Sequence, residues 1–139
     1  MSRPPAARGV FVGRALLWVC ALGAAAAAVA SLAAVADAAP EAKVAEAWRG
    51  YGFLVFAGLF ALLAVRPGQH PVVWVLVIGH KAAMTVTALA WTRSGVPNTN
   101  TVAVADGVVT VFLVAAYLLT RPARTSPDRK PDRKDAGTR

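Results

Sequence analysis

The chain has 139 residues, 57% hydrophobic and only 16% charged, with a mean hydropathy of +0.53. Soluble domains carry roughly a quarter charged residues, so an ordinary water-soluble fold is excluded, and the length leaves room for one domain. The formal charge of +8 gathers at the two ends. The basic tail has no aromatic residue, which argues against a nucleic-acid face, where Lys and Arg alternate with stacking rings.

In chain order, Arg3, Arg8 and Arg14 make a basic N-terminus, residues 1–14, expected to lie in the cytoplasm. Four apolar segments follow, at about 15–36, 48–65, 71–92 and 102–120. A helix needs about 17–25 residues to cross ~30 Å of hydrocarbon, and all four segments have that length. They are apolar nearly all round, where a soluble core helix keeps a polar stripe. Backbone groups must be paired inside lipid, so each span is predicted helical. The ~10-residue in–out alternation of a barrel strand does not occur. The expected fold is therefore all-α, an integral membrane four-helix bundle with short loops.

The connections carry helix punctuation. Pro40 suits a first helical turn, with Glu41 and Glu46 near its positive end, so the second helix is expected to begin near Pro40. Arg66-Pro67-Gly68-Gln69-His70-Pro71 reads as a tight polar turn, and 93–101, with Ser94, Gly95, Pro97 and Asn98, as a second loop. Residues 121–139 hold ten charges and two hydrophobic residues, Ala123 and Ala136, and repeat Pro-Asp-Arg-Lys at 127–130 and 131–134. A segment that buries so little cannot offset its chain entropy, so it is expected to be a disordered basic cytoplasmic tail.

An even number of spans puts both ends on one side of the membrane. That side carries eleven basic residues and the other carries three, Lys43, Arg49 and Arg93, with Lys81 inside a span. The positive-inside rule then predicts a multi-pass protein of the plasma membrane with both termini cytoplasmic. Trp18, Trp74 and Tyr117 fall near the inner interface, and Trp48, Tyr51 and Trp91 near the outer one, as aromatic belts require. The rival reading is a cleaved secretory leader over residues 1–38, ending at Ala36-Asp37-Ala38. Its apolar run is about 20 residues, against the ~7–15 typical of a leader.

The chemically informative residues are those whose polarity is costly in lipid. His80 and Lys81 stand at the centre of the third span and Asp106 about one turn inside the fourth. A charge at the bilayer centre costs ~2.5–3.5 kcal/mol on insertion scales, so such groups are expected to face protein or water. Counted from the span ends, Lys81 is ~15 Å deep and Asp106 ~6 Å, a gap of ~9 Å. A lysine stem covers most of that gap, so Lys81 can pair with Asp106 directly under strain or through a bridging water; on depth alone Arg49, at the outer end of the second span, is the easier partner for Asp106. Three roles stand open: a structural cross-link between Lys81 and Asp106, a ligand or proton site, and a Lys81 that snorkels to the interface without a partner. Asp106, Thr110 and Tyr117 form a loose polar stripe. Gly23, Ala27 and Ser31 recur at intervals of four, where small residues let helices approach.

No metal site is expected: His70 is in a loop and His80 far from it in depth. No haem is expected, since only one histidine stands within a span. Phosphate loops, HExxH, a nucleophile elbow and paired carboxylates are missing from the sequence. Cys20 is the sole cysteine and lies in an apolar run, which predicts a buried small hydrophobe. No catalytic residue and no cofactor are predicted.

With Trp48-Arg49-Gly50-Tyr51-Gly52 heading the second span and Ala105-Asp106-Gly107-Val108-Val109 opening the fourth, the layout over residues 10–120 resembles the DoxX-like small membrane proteins of bacteria. That resemblance implies a four-helix protein of the inner membrane and links some relatives to thiol or quinol oxidation. A thiol role does not carry over to a chain with one cysteine. Three functions are therefore expected in order: a non-enzymatic component that binds other membrane proteins or forms a homo-oligomer, an accessory subunit of a quinone-linked redox system, and a small proton- or solute-conducting oligomer using His80, Lys81 and Asp106. The expected partners are the lipid bilayer and membrane proteins, and no nucleic acid.

Overall fold

A computed structural model describes residues 5–121. Four helices make up the described chain: α1 (Pro5–Ala34), α2 (Lys43–Val65), α3 (Pro71–Trp91) and α4 (Thr99–Thr120). There is no strand among the described residues. All four helices are long and apolar enough to cross a membrane. The tail expected to be disordered lies outside the described residues from position 122 onward.

The helices match the expected spans, with shifts at the ends. α1 begins at Pro5, where a missing N–H costs nothing in a first turn, and so takes Arg8 and Arg14 into the helix. Its 30 residues correspond to ~45 Å, longer than the hydrocarbon is thick. The N-terminus read as a separate basic segment is thus mostly an extension of the first span. α2 begins at Lys43, after Pro40. Ala42, at its N-cap, makes no side-chain capping bond, and a turn precedes the helix, with Ala42 and Lys43 both donating their N–H to the Ala39 carbonyl. α3 starts with Pro71 in its first turn. The loop before α4 reverses through Gly95 and Asn98, both at positive φ; Asn tolerates that region better than most residues.

Consecutive helices run antiparallel. α1 packs on α2 and α4, α4 packs on α1 and α3, and of the helices that touch, α2 and α3 do so most lightly. The main core gathers Leu17, Cys20, Phe60, Leu63, Ala64, Trp74, Val77, Leu113 and Ala116. These lie in the first half of α1 and α3 and the last half of α2 and α4, so the core fills the end of the bundle where α1 begins.

Two glycines set the closest approaches. A Cβ on Gly13 would lie 2.7 Å from Thr120 Cγ2 and 3.1 Å from the Ala116 carbonyl, and one on Gly50 2.7 Å from Leu32 Cδ2. Of the small residues expected at an interface, Ser31 is buried and Ala27 half-buried, but Gly23 points outward with no atom within 4 Å of an added Cβ. The buried face of α1 instead follows Gly13, Leu17, Cys20, Ala21, Ala28 and Ser31, and Gly23 is out of phase with it.

The outer surface is apolar: Val75 is 72% exposed, Val29 70% and Val104 68%. Soluble monomers rarely expose contiguous patches beyond a few hundred Å². Among hydrocarbon chains the same surface has no such cost. The chain is a multi-pass membrane protein. Trp18, Trp48, Tyr51, Trp91 and Tyr117 are exposed, as an interfacial belt requires, but Trp74 is only 3% exposed. Its indole N–H donates to the Pro67 carbonyl at 2.9 Å, and its ring meets Tyr117 edge-on at 5.4 Å. A buried indole needs an acceptor, and the turn supplies one, so Trp74 ties the α2–α3 turn to α4.

Candidate functional site: an ion pair within the spans

Lys81 and Asp106 meet. Lys81 Nζ donates to Asp106 Oδ1 at 2.6 Å, with the side chains 8% and 14% exposed. The pair joins α3 to α4 about midway along α3. Direct contact follows from where the helices end. α4 begins at Thr99 rather than 102, so Asp106 stands seven residues into its helix, ~10 Å deep. The offset from Lys81 shrinks to ~5 Å, which a lysine stem spans.

The backbone around the pair is closely set. Thr85 Oγ1 donates to the Lys81 carbonyl at 2.8 Å, and Thr110 Oγ1 to the Asp106 carbonyl at 2.7 Å. Each threonine hydroxyl therefore bonds one turn back on its own helix. A Cβ on Gly107 would lie 3.5 Å from Thr85 Cγ2, so α3 and α4 touch one turn from the charges. Within the expected polar stripe of α4, Thr110 is half-buried and Tyr117 is exposed beside Trp74.

α2 contributes no charge here. It offers two rings: Lys81 Nζ is 4.9 Å from the centre of Phe56 and 5.8 Å from that of Phe53. An ammonium within about 6 Å of a ring centre is attracted by its quadrupole, more strongly where water is excluded. Phe53 and Phe56 were missed by a reading that looked for polar groups. Their i, i+3 spacing, which places both rings on one face, was the available signal.

His80 does not join the pair. It is exposed, and its ring lies against Phe56 with centres 4.6 Å apart. Neither of its ring nitrogens makes a hydrogen bond among the described residues. His80 therefore stands on the open side, where α2 and α3 part.

Arg49 does not reach Asp106. It pairs with Glu46, one turn back on its own helix, and remains 53% exposed. A neighbour at i, i−3 needs no reach across the bundle, and Asp106 is already engaged by Lys81.

At the other end of the bundle Arg14 has an unexpected role. Its Nε donates to the Ala64 carbonyl at 2.7 Å, one of the last carbonyls of α2, which have no partner within their own helix. A cation also suits the negative end of the helix dipole. His70 Nε2 is buried without a hydrogen-bond partner among the described residues. His70 and His80 are ten residues apart along α3, ~15 Å, and no cluster of three or more His, Cys, Asp or Glu suited to a metal occurs among the described residues.

The site thus defines a class: a small helical membrane protein whose intramembrane charges neutralise each other beneath aromatic rings. No family model, curated protein or solved structure matches the chain.

Proposed function

We propose that this chain is a non-enzymatic component of the bacterial inner membrane, with both termini cytoplasmic, that works by packing against other membrane proteins. The orientation rests on the eleven-to-three distribution of basic residues, since cytoplasmic loops retain Lys and Arg. The resemblance to DoxX-like proteins supplies the bacterial setting.

The observation that carries the reading is the outward face of α3. Val72, Leu76, Gly79, Ala83, Val86 and Ala90 are all exposed and recur at intervals of 4, 3, 4, 3 and 4. This is the repeat by which one helix seats another, and small residues at its centre allow close approach in lipid. A Cβ on Gly79 would meet nothing within 4 Å, so the groove there is open. Lys81 points the other way, into its own bundle, which leaves the seating face uncharged.

Cysteine cross-linking in native membranes tests this. In a Cys20→Ala background, Gly79→Cys and Ala83→Cys are expected to give one cross-linked adduct of defined mass. Val104→Cys, on the outward face of α4, is expected to give none. Absence of an adduct from both α3 positions, or equal yield from Val104→Cys, would refute the reading.

A further inference from the structure

Beyond packing, we propose that Arg14 and Arg66 form a site for the phosphate of an anionic phospholipid, at the end of the bundle where α1 begins. Arg14 is exposed, yet its guanidinium is held in place, with Nε donating to the Ala64 carbonyl at 2.7 Å. A guanidinium carries five N–H donors in a planar fork. One is spent on Ala64, and those on the two Nη atoms make no hydrogen bond among the described residues. That free edge fits two oxygens of a phosphate at once, which the point charge of a lysine does not. Because the Nε bond already orients the group, less freedom is lost when an anion docks.

Arg66 supplies the second cation. It is exposed at the C-cap of α2, two residues past the carbonyl that Arg14 holds, so both side chains spring from one corner of the bundle. No carboxylate competes for them among the described residues. Asp37, Glu41 and Glu46 stand at the opposite end, and Asp106 is engaged by Lys81. Arg8 and Arg121 are exposed at the same end as Arg14 and Arg66, so among the described residues this end carries positive charge only.

Depth selects a lipid over a soluble anion. Ala64 lies in the last turn of α2, so the Nε bond sets Arg14 at the level where that span ends. Trp18 stands one turn deeper on the same face of α1, ~6 Å away along the axis, and Leu22 one turn beyond it. Both are exposed, and an exposed indole marks the headgroup level of a bilayer. A phosphate seated on the Arg14 fork therefore lays its acyl chains along Trp18 and Leu22, contacts that a free phosphate lacks. A zwitterionic lipid brings its own cation to the corner and gains less than an anionic one. The site is built on α1 and α2, apart from the outward face of α3, so either proposal can fail without the other.

Lipids with brominated chains, which quench tryptophan on contact, test the site. The full chain is reconstituted in phosphatidylcholine vesicles that contain either brominated phosphatidylglycerol or brominated phosphatidylcholine, and the quenching gives the association constant of one relative to the other. Wild type is expected to prefer phosphatidylglycerol by at least about fivefold, the preference one basic residue supplies near an anionic lipid surface. Trp18→Phe is expected to abolish the selective part of the quenching, since Trp48 and Trp91 lie at the other end and Trp74 is buried. Arg14→Gln/Arg66→Gln is expected to lose at least about four-fifths of the preference. Arg14→Lys keeps the charge without the fork and is expected to lose at least about half. A full-length variant carrying Arg129→Gln, Lys130→Gln, Arg133→Gln and Lys134→Gln is expected to keep the wild-type preference, which separates the site from the basic tail. Inorganic phosphate at matched ionic strength is expected to displace nothing. The proposal is overturned if wild type shows no preference, if the double variant or Arg14→Lys keeps all of it, or if the tail variant loses it. Selective quenching that survives Trp18→Phe, or that inorganic phosphate removes, overturns it equally. Should the Arg14 variants fail to reconstitute, Arg66→Gln decides, with a loss of about half expected and an unchanged preference refuting the site.

Discussion

A double-mutant cycle across Lys81 and Asp106 measures what the intramembrane pair contributes. Two magnitudes compete. Neutral polar contacts between membrane helices average ~0.6 kcal/mol, because the unfolded chain in lipid finds other partners. Removing one member of a buried ion pair costs roughly 3–5 kcal/mol, because the other is left as a charge without a counter-charge. The geometry selects the second: the separation is 2.6 Å and the side chains are 8% and 14% exposed. Lys81→Met and Asp106→Asn are each expected to destabilise by ~3 kcal/mol, at the lower end because the group left behind can shed its charge, a carboxyl by taking a proton and an ammonium by losing one. The double variant removes both charges and is expected to cost less than the two singles combined, with a coupling of ~2 kcal/mol. Reversible unfolding in mixed micelles, followed by helicity as the denaturing detergent is raised, supplies the four free energies. The Arg49–Glu46 pair is the internal control. It is 53% and 24% exposed, and Arg49→Ala is expected to cost under ~1 kcal/mol, as surface pairs do. A coupling below ~0.5 kcal/mol, the scatter of independent sites, would refute the reasoning and return the pair to the level of an ordinary polar contact.

The same unfolding assay checks four further expectations. Gly13→Leu forces a side chain against Thr120 Cγ2 and the Ala116 carbonyl and is expected to cost at least ~1–3 kcal/mol by overpacking. Gly23→Ala meets nothing and is expected to be neutral or to stabilise by up to ~1 kcal/mol; the reverse order would mean that α1 is rotated. Trp74→Phe keeps the ring contact with Tyr117 but loses the bond to Pro67, at an expected cost of ~1 kcal/mol. Arg14→Gln removes the cation from the end of α2 and is expected to cost ~0.3–1 kcal/mol, a cost that shrinks as salt is added because Arg14 is exposed.

The helices were legible because lipid imposes one rule on every residue in a span. Length, hydropathy and breakers such as Pro71 place the elements to within a few residues, except at the start of α1. There Arg3, Arg8 and Arg14 mark a topology signal, but charge does not end a helix, and the helix continues outward. What was not legible was rotational phase. In a helix apolar on all sides, hydropathy does not say which face is inward, so Gly23 and Gly13 look equivalent until a neighbour is in place. Depth alone ranked Arg49 ahead of Lys81 as the partner of Asp106 for a related reason. Depth was counted from Val102, and moving the start of α4 to Thr99 halves the distance to Lys81. Phe53 and Phe56 are invisible to any search for polar groups, since an aromatic residue in a membrane span is ordinary until a cation is found beneath it.

The two halves of the bundle are built on different principles, and the contrast explains where function can reside. At the end where α1 begins, large side chains interdigitate: Leu17, Phe60, Leu63, Val77 and Leu113 are each under 2% exposed. Arg14 and Trp74 close that end by satisfying a carbonyl each. Toward the other end the buried residues are small, Ala28, Ser31, Gly50, Ala88 and Ala103, and the largest buried group is Lys81 itself. Dispersion contacts scale with buried atoms, so this half holds together less by packing than by the Lys81–Asp106 pair. α2 is joined to α3 there through rings on a charge and an imidazole rather than by close backbone contact. The intramembrane pair therefore lies in the half of the protein whose other buried side chains are small.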